Sequence, residues 1–112
     1  MLRFDRFTER AQDAAARAYE ILQRYGHNQV DTEHILLALL EQTDGVIPQI
    51  LERLSVDVSG IRSRVDDMLR RSPRTAAIYG QGTNQVFITP RLKSIIDRAN
   101  EEANRLHDEY IS

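Results

Sequence analysis

The chain has 112 residues, no cysteine and a formal charge of −2 at neutral pH. A chain of this length can bury one hydrophobic core, and the lack of cysteine excludes a disulfide scaffold, a thiolate zinc site and a cysteine nucleophile. The slightly acidic balance argues against a general nucleic-acid partner, and the longest apolar run, Ile35–Leu40, is far too short to span a membrane.

Two helices are predicted in the first part of the chain. The first covers Thr8–Tyr25, where apolar residues recur at helical spacing, with its first residue as N-cap and Gly26 as the left-handed residue after its end. The second begins at Asp31 or Thr32, either of which is able to cap it. It continues through Ile35–Leu40, which is apolar on every side, so we expect this helix at the centre of the core.

Two further helices are predicted after a turn at Asp44-Gly45. The third carries an apolar face and tolerates Pro48 because the proline falls in its first turn. The fourth starts at Asp57 or Ser59 and ends at Arg70-Arg71, whose charges suit the negative end of the helix dipole.

The helical pattern stops in the segment that follows and then resumes. Residues 73–86 hold proline, two glycines and few apolar side chains, which predicts a loop. Phe87 and Ile88 lead in an extended conformation into a fifth helix, for which Thr89-Pro90 is a strong start signal, a cap followed by proline at the first helical position.

The fifth helix repeats the first at a shift of 81 residues. Phe7 then falls on Ile88 and Val30 on Ile111, and identical residues coincide at Thr8 and Thr89, Arg10 and Arg91, Arg17 and Arg98, Ala18 and Ala99, Glu20 and Glu101, and Arg24 and Arg105. This register predicts a duplicated helical unit within one domain, residues 1–112. Repeat one is expected at 7–72, the loop at 73–86 and the start of repeat two at 87–112.

The second repeat stops after its first helix, so the apolar face of that helix lacks a partner from its own repeat. It must pack on the first repeat, pair with another chain or stay partly exposed.

Several strings together resemble the Clp N-terminal domain of ClpB/ClpC-type Hsp100 AAA+ unfoldases. They are Arg6-Phe7-Thr8-Glu9-Arg10-Ala11-Gln12, Gly26-His27-Asn28, Thr32-Glu33-His34-Ile35-Leu36-Leu37-Ala38-Leu39-Leu40, Phe87-Ile88-Thr89-Pro90-Arg91-Leu92 and Asp108-Glu109-Tyr110-Ile111-Ser112. The resemblance implies an all-α fold, a Clp-N-like pseudo-two-fold repeat of four-helix units, here with the second repeat truncated after its first helix.

The resemblance also implies a function in binding proteins. Domains of this family recruit unfolded or tagged protein substrates and adaptor proteins for an ATP-driven motor, the AAA+ modules of the same full-length chain. The sequence has no G-x-x-x-x-G-K-[ST] phosphate loop, so we expect no ATPase activity, no other enzyme activity and no cofactor here. The first residues lack the apolar core of a signal peptide, which favours a cytoplasmic protein without a membrane partner.

An alternative reading is a free-standing helical protein of the same fold. Such a protein would self-associate as a homodimer or act as an accessory partner of a Clp complex. The unpartnered fifth helix motivates this alternative.

The resemblance places a substrate-binding site at Thr8 and Asp108, which match positions lining the substrate groove of ClpB-type domains. The apolar neighbours Tyr110 and Ile111 would help to hold an extended peptide. Simpler roles remain open, because Thr8 is also a helix cap and Asp108 a turn residue.

The resemblance to ClpC-type domains suggests a second site, for phosphorylated arginine, at Thr32 and Glu33. Free backbone N–H groups at a helix start attract an anion, and a carboxylate holds a guanidinium. Capping and compensation of the helix dipole are the alternative roles of these two residues.

No metal site is expected. Glu33-His34 resembles half of an H-E-x-x-H motif, but the second histidine is missing at the required spacing. We expect His34 to form a local hydrogen bond in the first turn of its helix. His27 and His107 lie near helix ends, where a role toward the helix dipole is favoured over metal ligation.

Overall fold

The computed structural model describes residues 7–42, 45–72, 86–107 and 109–112. The predicted turn residue Asp44, nearly all of the predicted loop 73–86 and the candidate site residue Asp108 lie outside this part of the chain. In chain order the described elements are α1 (Glu9–Tyr25), β1 (Gln29–Val30), α2 (Thr32–Glu41), α3 (Val46–Arg53), α4 (Val58–Arg71), β2 (Phe87–Ile88) and α5 (Pro90–Arg105). The all-α fold class is confirmed, with two very short strands added to it.

The helix ends follow the local signals in the sequence. Thr8 accepts a hydrogen bond from the Ala11 N–H at 3.2 Å, and Gly26 closes α1 in the left-handed region at φ 72°. Thr89 caps α5 in the same way, with Pro90 at the first helical position. Of the two residues able to cap α2, Asp31 does so.

The core lies where α1, α2 and α4 meet. Its largest fully buried side chains come from all three helices and from α5: Ile21, Leu22, Leu37, Leu69 and Leu92. The central position of α2 is therefore confirmed for its inner face. The expectation that α2 is enclosed on every side is wrong at Leu36, whose surface is 37% exposed, because none of the described elements covers that face.

Two hydrogen bonds related by the internal repeat join the ends of the described chain to its middle. The Thr8 N–H donates to the Ile111 carbonyl at 2.9 Å, and the Thr89 N–H donates to the Val30 carbonyl at 3.1 Å. The shift of 81 residues exchanges one bond with the other. The same exchange relates the Phe7–Ile111 bridge to the parallel pairing of Val30 with Ile88 in β1 and β2, as a pseudo-two-fold repeat requires.

The apolar faces of α3 and α5 are only partly covered. α3 has no buried residue, and its Val46 is 58% exposed. In α5 only Leu92 and Ala103 are buried, and Ile95 is 50% exposed. Of the three outcomes predicted for the fifth helix, the structure shows packing on the first repeat through Leu92 together with partial exposure of the rest.

The core assignment is testable with two neighbouring leucines of α2. Leu37→Ala removes a side chain that is 1% exposed, so we expect a loss of about 2–5 kcal/mol in the free energy of unfolding. Leu36→Ala makes the same chemical change on the exposed side and should cost about 1 kcal/mol or less. Urea unfolding monitored by circular dichroism measures both, and equal losses would contradict the packing described here.

Candidate functional site

An apolar groove runs between the two related helices, α1 and α5. It encloses about 650 Å³, and α2, α3 and the ends of the described chain complete its walls. Polar side chains on its lining come from Thr8, Arg10, Gln42 and Ser112, and most of the rest of the lining is aliphatic. Because three exposed faces converge here, the groove is the largest apolar surface that the described residues leave open to solvent.

The two walls are built from positions that the repeat relates. α1 contributes Ala11, Ala14 and Ala15, and the positions 81 residues later in α5 hold Leu92, Ile95 and Ile96. One wall therefore carries small side chains and the other carries large ones. The small wall gives the groove its depth, and the large wall offers mobile aliphatic groups for contact with a ligand.

Gln42 fixes the end of α2 at the edge of this groove. It is buried, and its Nε2 donates to the Arg10 carbonyl and to Asp13 Oδ2, both at 2.9 Å. This contact, followed by the contact from Arg17, lowers the pKa of Asp13. A buried amide with satisfied donors makes this edge a well-defined part of the wall.

The structure brings part of the predicted substrate site to one end of the groove. Thr8, Ile111 and Ser112 line it, and the backbones of Thr8 and Ile111 are joined by the hydrogen bond described above. Tyr110 is exposed beside them but is not part of the lining. Since Asp108 lies outside the described residues, its place in the site stays a prediction.

The predicted phosphoarginine site lies elsewhere, at the start of α2. Thr32 Oγ1 donates to Glu33 Oε1 at 3.0 Å. The two carboxylate oxygens of Glu33 accept from Arg91 Nη2 at 3.0 and 3.2 Å. The carboxylate thus already holds a guanidinium, that of the chain's own Arg91, and recognition of a modified arginine by Thr32 and Glu33 stays a prediction.

Asp31 is the centre of this second cluster. Its Oδ2 accepts from Arg91 Nη2 at 2.7 Å, and its Oδ1 accepts from the Thr89 hydroxyl and Arg91 Nε, both at 2.9 Å. The Thr32 N–H also donates to Oδ1. The Arg91 guanidinium, aided by the Thr32 and Thr89 donors and opposed by partial burial, lowers the pKa of Asp31 to about 2.

Two histidines lie beneath the same helix start. The Asp31 N–H donates to His34 Nδ1 at 2.9 Å, which confirms the expected local hydrogen bond of His34. His27 lies 2.9 Å from His34 through ring nitrogens, so its ring is engaged in the core, unlike the predicted role toward the helix dipole. In the described ranges, no three metal-ligating side chains of His, Asp or Glu converge.

A family model and several relatives match this chain. The model for the Clp repeat (R) N-terminal domain matches residues 6–112. The chain belongs to this family. It is 35% identical over 109 residues to chaperone protein ClpB of Nitratidesulfovibrio vulgaris, and 37% identical over 109 residues to negative regulator of genetic competence ClpC/MecB of Bacillus subtilis. Each match covers 96% of this chain but only 12% of the relative.

Solved structures share the fold of this Clp N-terminal domain. The N-terminal domain of the ClpV1 ATPase from Escherichia coli superposes with a TM-score of 0.84 at 23% identity, covering 96% of this chain and 63% of that one. The N-domain of ClpV from Vibrio cholerae gives a TM-score of 0.79 at 16% identity, covering 96% and 61%. The chain therefore spans under two thirds of these domains, and the likeness shows the fold alone. None of the described helices is long and apolar enough to cross a membrane.

Sequence reasoning did not single out the residues at the junction of the two repeats. Asp31 was considered only as a cap, and Arg91 only as the counterpart of Arg10. The repeat alignment held a signal, since it paired these two arginines at the starts of related helices. It could not show that Arg91 reaches a carboxylate 60 positions earlier in the chain.

The cap and the charge of Asp31 are separable by two substitutions. Asp31→Asn keeps a good N-cap, whereas Asp31→Ala loses it, so the alanine variant should unfold with a free energy lower by about a further 1 kcal/mol at pH 7. Urea unfolding of both variants measures this difference, and equal stabilities would contradict capping by Asp31.

The charge of Asp31 should show itself in acid. A lowered pKa in the folded state stabilises the domain above the ordinary value of 3.8, and this contribution is lost as the pH falls through 3.8 toward about 2. Over that range wild type should lose more stability than Asp31→Asn. Parallel curves of unfolding free energy against pH would exclude the effect.

Proposed function

We propose that this Clp N-terminal domain binds exposed apolar segments of protein substrates, or of adaptor proteins, in the groove between α1 and α5. The domain itself is non-catalytic in this proposal and delivers what it binds to AAA+ modules of the same full-length chain. Membership of the family of ClpB- and ClpC-type proteins supports this role and a cytoplasmic location. The observation that carries it is the open apolar groove.

The size and chemistry of the groove suit a short stretch of polypeptide. A volume of about 650 Å³ is large enough for several aliphatic or aromatic side chains. Their burial contributes about 25 cal/mol for each Å² of apolar surface removed from water. Ordering a flexible segment opposes binding, so affinity should be weak and tolerant of sequence, as recruitment of many unfolded proteins requires.

Backbone recognition is available at the end of the groove where the predicted site residues lie. The Thr8 hydroxyl oxygen accepts the capping N–H, which leaves its proton free to be donated to a peptide carbonyl. Ile111 adds apolar contact in the lining, and exposed Tyr110 extends that surface beyond it. We assign Thr8, Tyr110, Ile111 and Asp108 to substrate binding within this proposal.

The internal repeat indicates which segments the groove accepts. In repeat one, α2 covers the deep face of α1 with an apolar run. The equivalent face of α5 therefore suits a segment that, like α2, is rich in leucine and alanine. Unfolded proteins expose such segments, whereas folded ones bury them.

Binding is testable with two isoleucine- and methionine-sized positions of equal exposure. Ile95 lines the groove and is 50% exposed, while Met68 lies on α4 away from it and is 51% exposed. We expect a labelled, permanently unfolded protein to bind with micromolar or weaker affinity, and Ile95→Glu to weaken binding about tenfold because it places a charge in the apolar wall.

Met68→Glu is the matched control and should leave the affinity unchanged. Fluorescence anisotropy with and without ATP measures both variants. Tight binding that depends on ATP, or equal loss in the two variants, would contradict the proposal.

Self-association is the second candidate, since the exposed faces of α3 and α5 are the features expected of an unpaired interface. Sedimentation equilibrium at high concentration should then show a dimer, and Ile95→Glu should shift it toward monomer. A monomer throughout the concentration range would eliminate this candidate and leave peptide binding standing.

A further inference from the structure

The pair formed by His27 and His34 has no part in the groove. The two side chains are 8% and 3% exposed, and His27 Nδ1 lies 2.9 Å from His34 Nε2. Their ring planes are close to perpendicular, at 82°, with centroids 5.1 Å apart. A direct hydrogen bond between two buried titratable rings makes their protonation a property of the pair.

The neighbouring backbone decides where the protons of the pair lie. The Asp31 N–H is able only to donate, so His34 Nδ1, which receives it at 2.9 Å, carries no proton. Neutral His34 therefore holds its proton on Nε2 and donates it to His27 Nδ1. His27 in turn holds its proton on Nε2, a buried atom with no hydrogen-bond partner in the part of the chain that the structure describes.

This arrangement has no place for an additional proton. The two ring nitrogens that lack one, Nδ1 of His34 and Nδ1 of His27, both already accept hydrogen bonds. A proton added at either atom sets two donors against each other and breaks a bond of the chain. Burial, followed by the neighbouring His27, also lowers the pKa of His34, against the opposing effect of Asp31 and Glu33.

The surrounding groups do not provide a free counter-charge for an imidazolium. From α2, the carboxylates of Asp31 and Glu33 face the pair, but Arg91 of α5 binds both. From the end of α1, the Tyr25 ring stacks on His27 at a centroid distance of 6.1 Å. The Tyr25 hydroxyl donates to Asp66 of α4, whose other oxygen pairs with Arg70 at 3.0 Å.

Asp31 connects the pair to the second repeat. Its N–H is held by His34, while its carboxylate accepts from the Thr89 hydroxyl and the Arg91 guanidinium. Next to it, the Val30 carbonyl accepts from the Thr89 N–H. The position of Asp31 therefore determines both the capping of α2 and the attachment of the start of α5.

We propose that the His27–His34 pair is a proton-sensitive latch that holds the start of α5 against the start of α2. The neutral pair closes the latch, and a single added proton opens it by breaking the bond to Asp31 or the bond between the rings. Opening loosens the junction of the two repeats at one end of the groove. The latch stands on the hydrogen-bond chain and does not depend on the proposed function.

The pH range of the latch follows from linkage. Histidine in an unfolded chain takes up its proton near pH 6.5, and the folded pair does so only at lower pH. Its contribution to stability is therefore complete above about pH 6.5 and is lost as the pH falls from there toward the lowered value. This range is well separated from that of Asp31, which begins below 3.8.

Two symmetry-related amides provide the test. The Thr89 N–H bonded to Val30 lies at the latch, and the Thr8 N–H bonded to Ile111 is its counterpart without adjacent histidines. Hydrogen exchange of the 112-residue protein, followed by NMR and corrected for the intrinsic rate, should show about a tenfold loss of protection at Thr89 between pH 7.5 and 5.5. Thr8 should change about threefold less or not at all.

His34→Gln separates protonation from structure. The Gln oxygen accepts from the Asp31 N–H and its amide donates to His27, as the neutral ring does, but Gln cannot take up a proton. We expect the loss at Thr89 to fall to less than half of the wild-type value. His107→Gln, which alters an exposed histidine, should leave the wild-type response intact.

Several outcomes would overturn the latch. They are an unchanged loss at Thr89 in His34→Gln, a parallel loss at Thr8 and Thr89 in wild type, and no loss at either amide. If His34→Gln does not fold, ¹⁵N shifts of the wild-type rings decide the question. Protons on Nε2 of both rings at pH 7.5, with a His34 midpoint below 6.5, support the latch, and any other pattern contradicts it.

Discussion

The structure depends on one short contact between the two repeats, in which Asp31 caps α2 and binds Arg91 of α5. A carboxylate at a helix start satisfies backbone donors and accepts a guanidinium with the same two oxygens. Because the apolar face of α5 is only partly covered, hydrophobic packing alone would position this helix loosely. The polar contact supplies the direction and register that the apolar contact lacks.

The groove and this junction are two consequences of a single duplication. The related backbone bonds of Thr8 and Thr89 hold α1 and α5 in equivalent positions, and the space between them becomes the groove. The walls differ because alanines in α1 correspond to larger residues in α5. A duplicated scaffold thus provides an asymmetric apolar surface, which suits binding of polypeptide and contains no convergent catalytic groups among its lining residues.

The helices and their caps were predictable because their signals are local. Thr8, Gly26 and Thr89-Pro90 act on backbone groups within four residues of themselves, so sequence spacing is sufficient to identify them. The strand pairing of Val30 with Ile88 and the contact of Arg91 with Asp31 join residues about 60 positions apart. No local pattern encodes such contacts, and the repeat alignment shows which positions are equivalent without showing which ones touch.

By itself the sequence determined the helical class, the repeat register and the family, since periodicity, capping chemistry and shared strings are readable along one dimension. Only the tertiary structure decided that Arg91 occupies Glu33, that His27 meets His34 in the core and that Thr8 reaches Ile111. These facts depend on how helices pack in three dimensions. The packing is set by the combined burial of many side chains, to which each residue contributes only a small part.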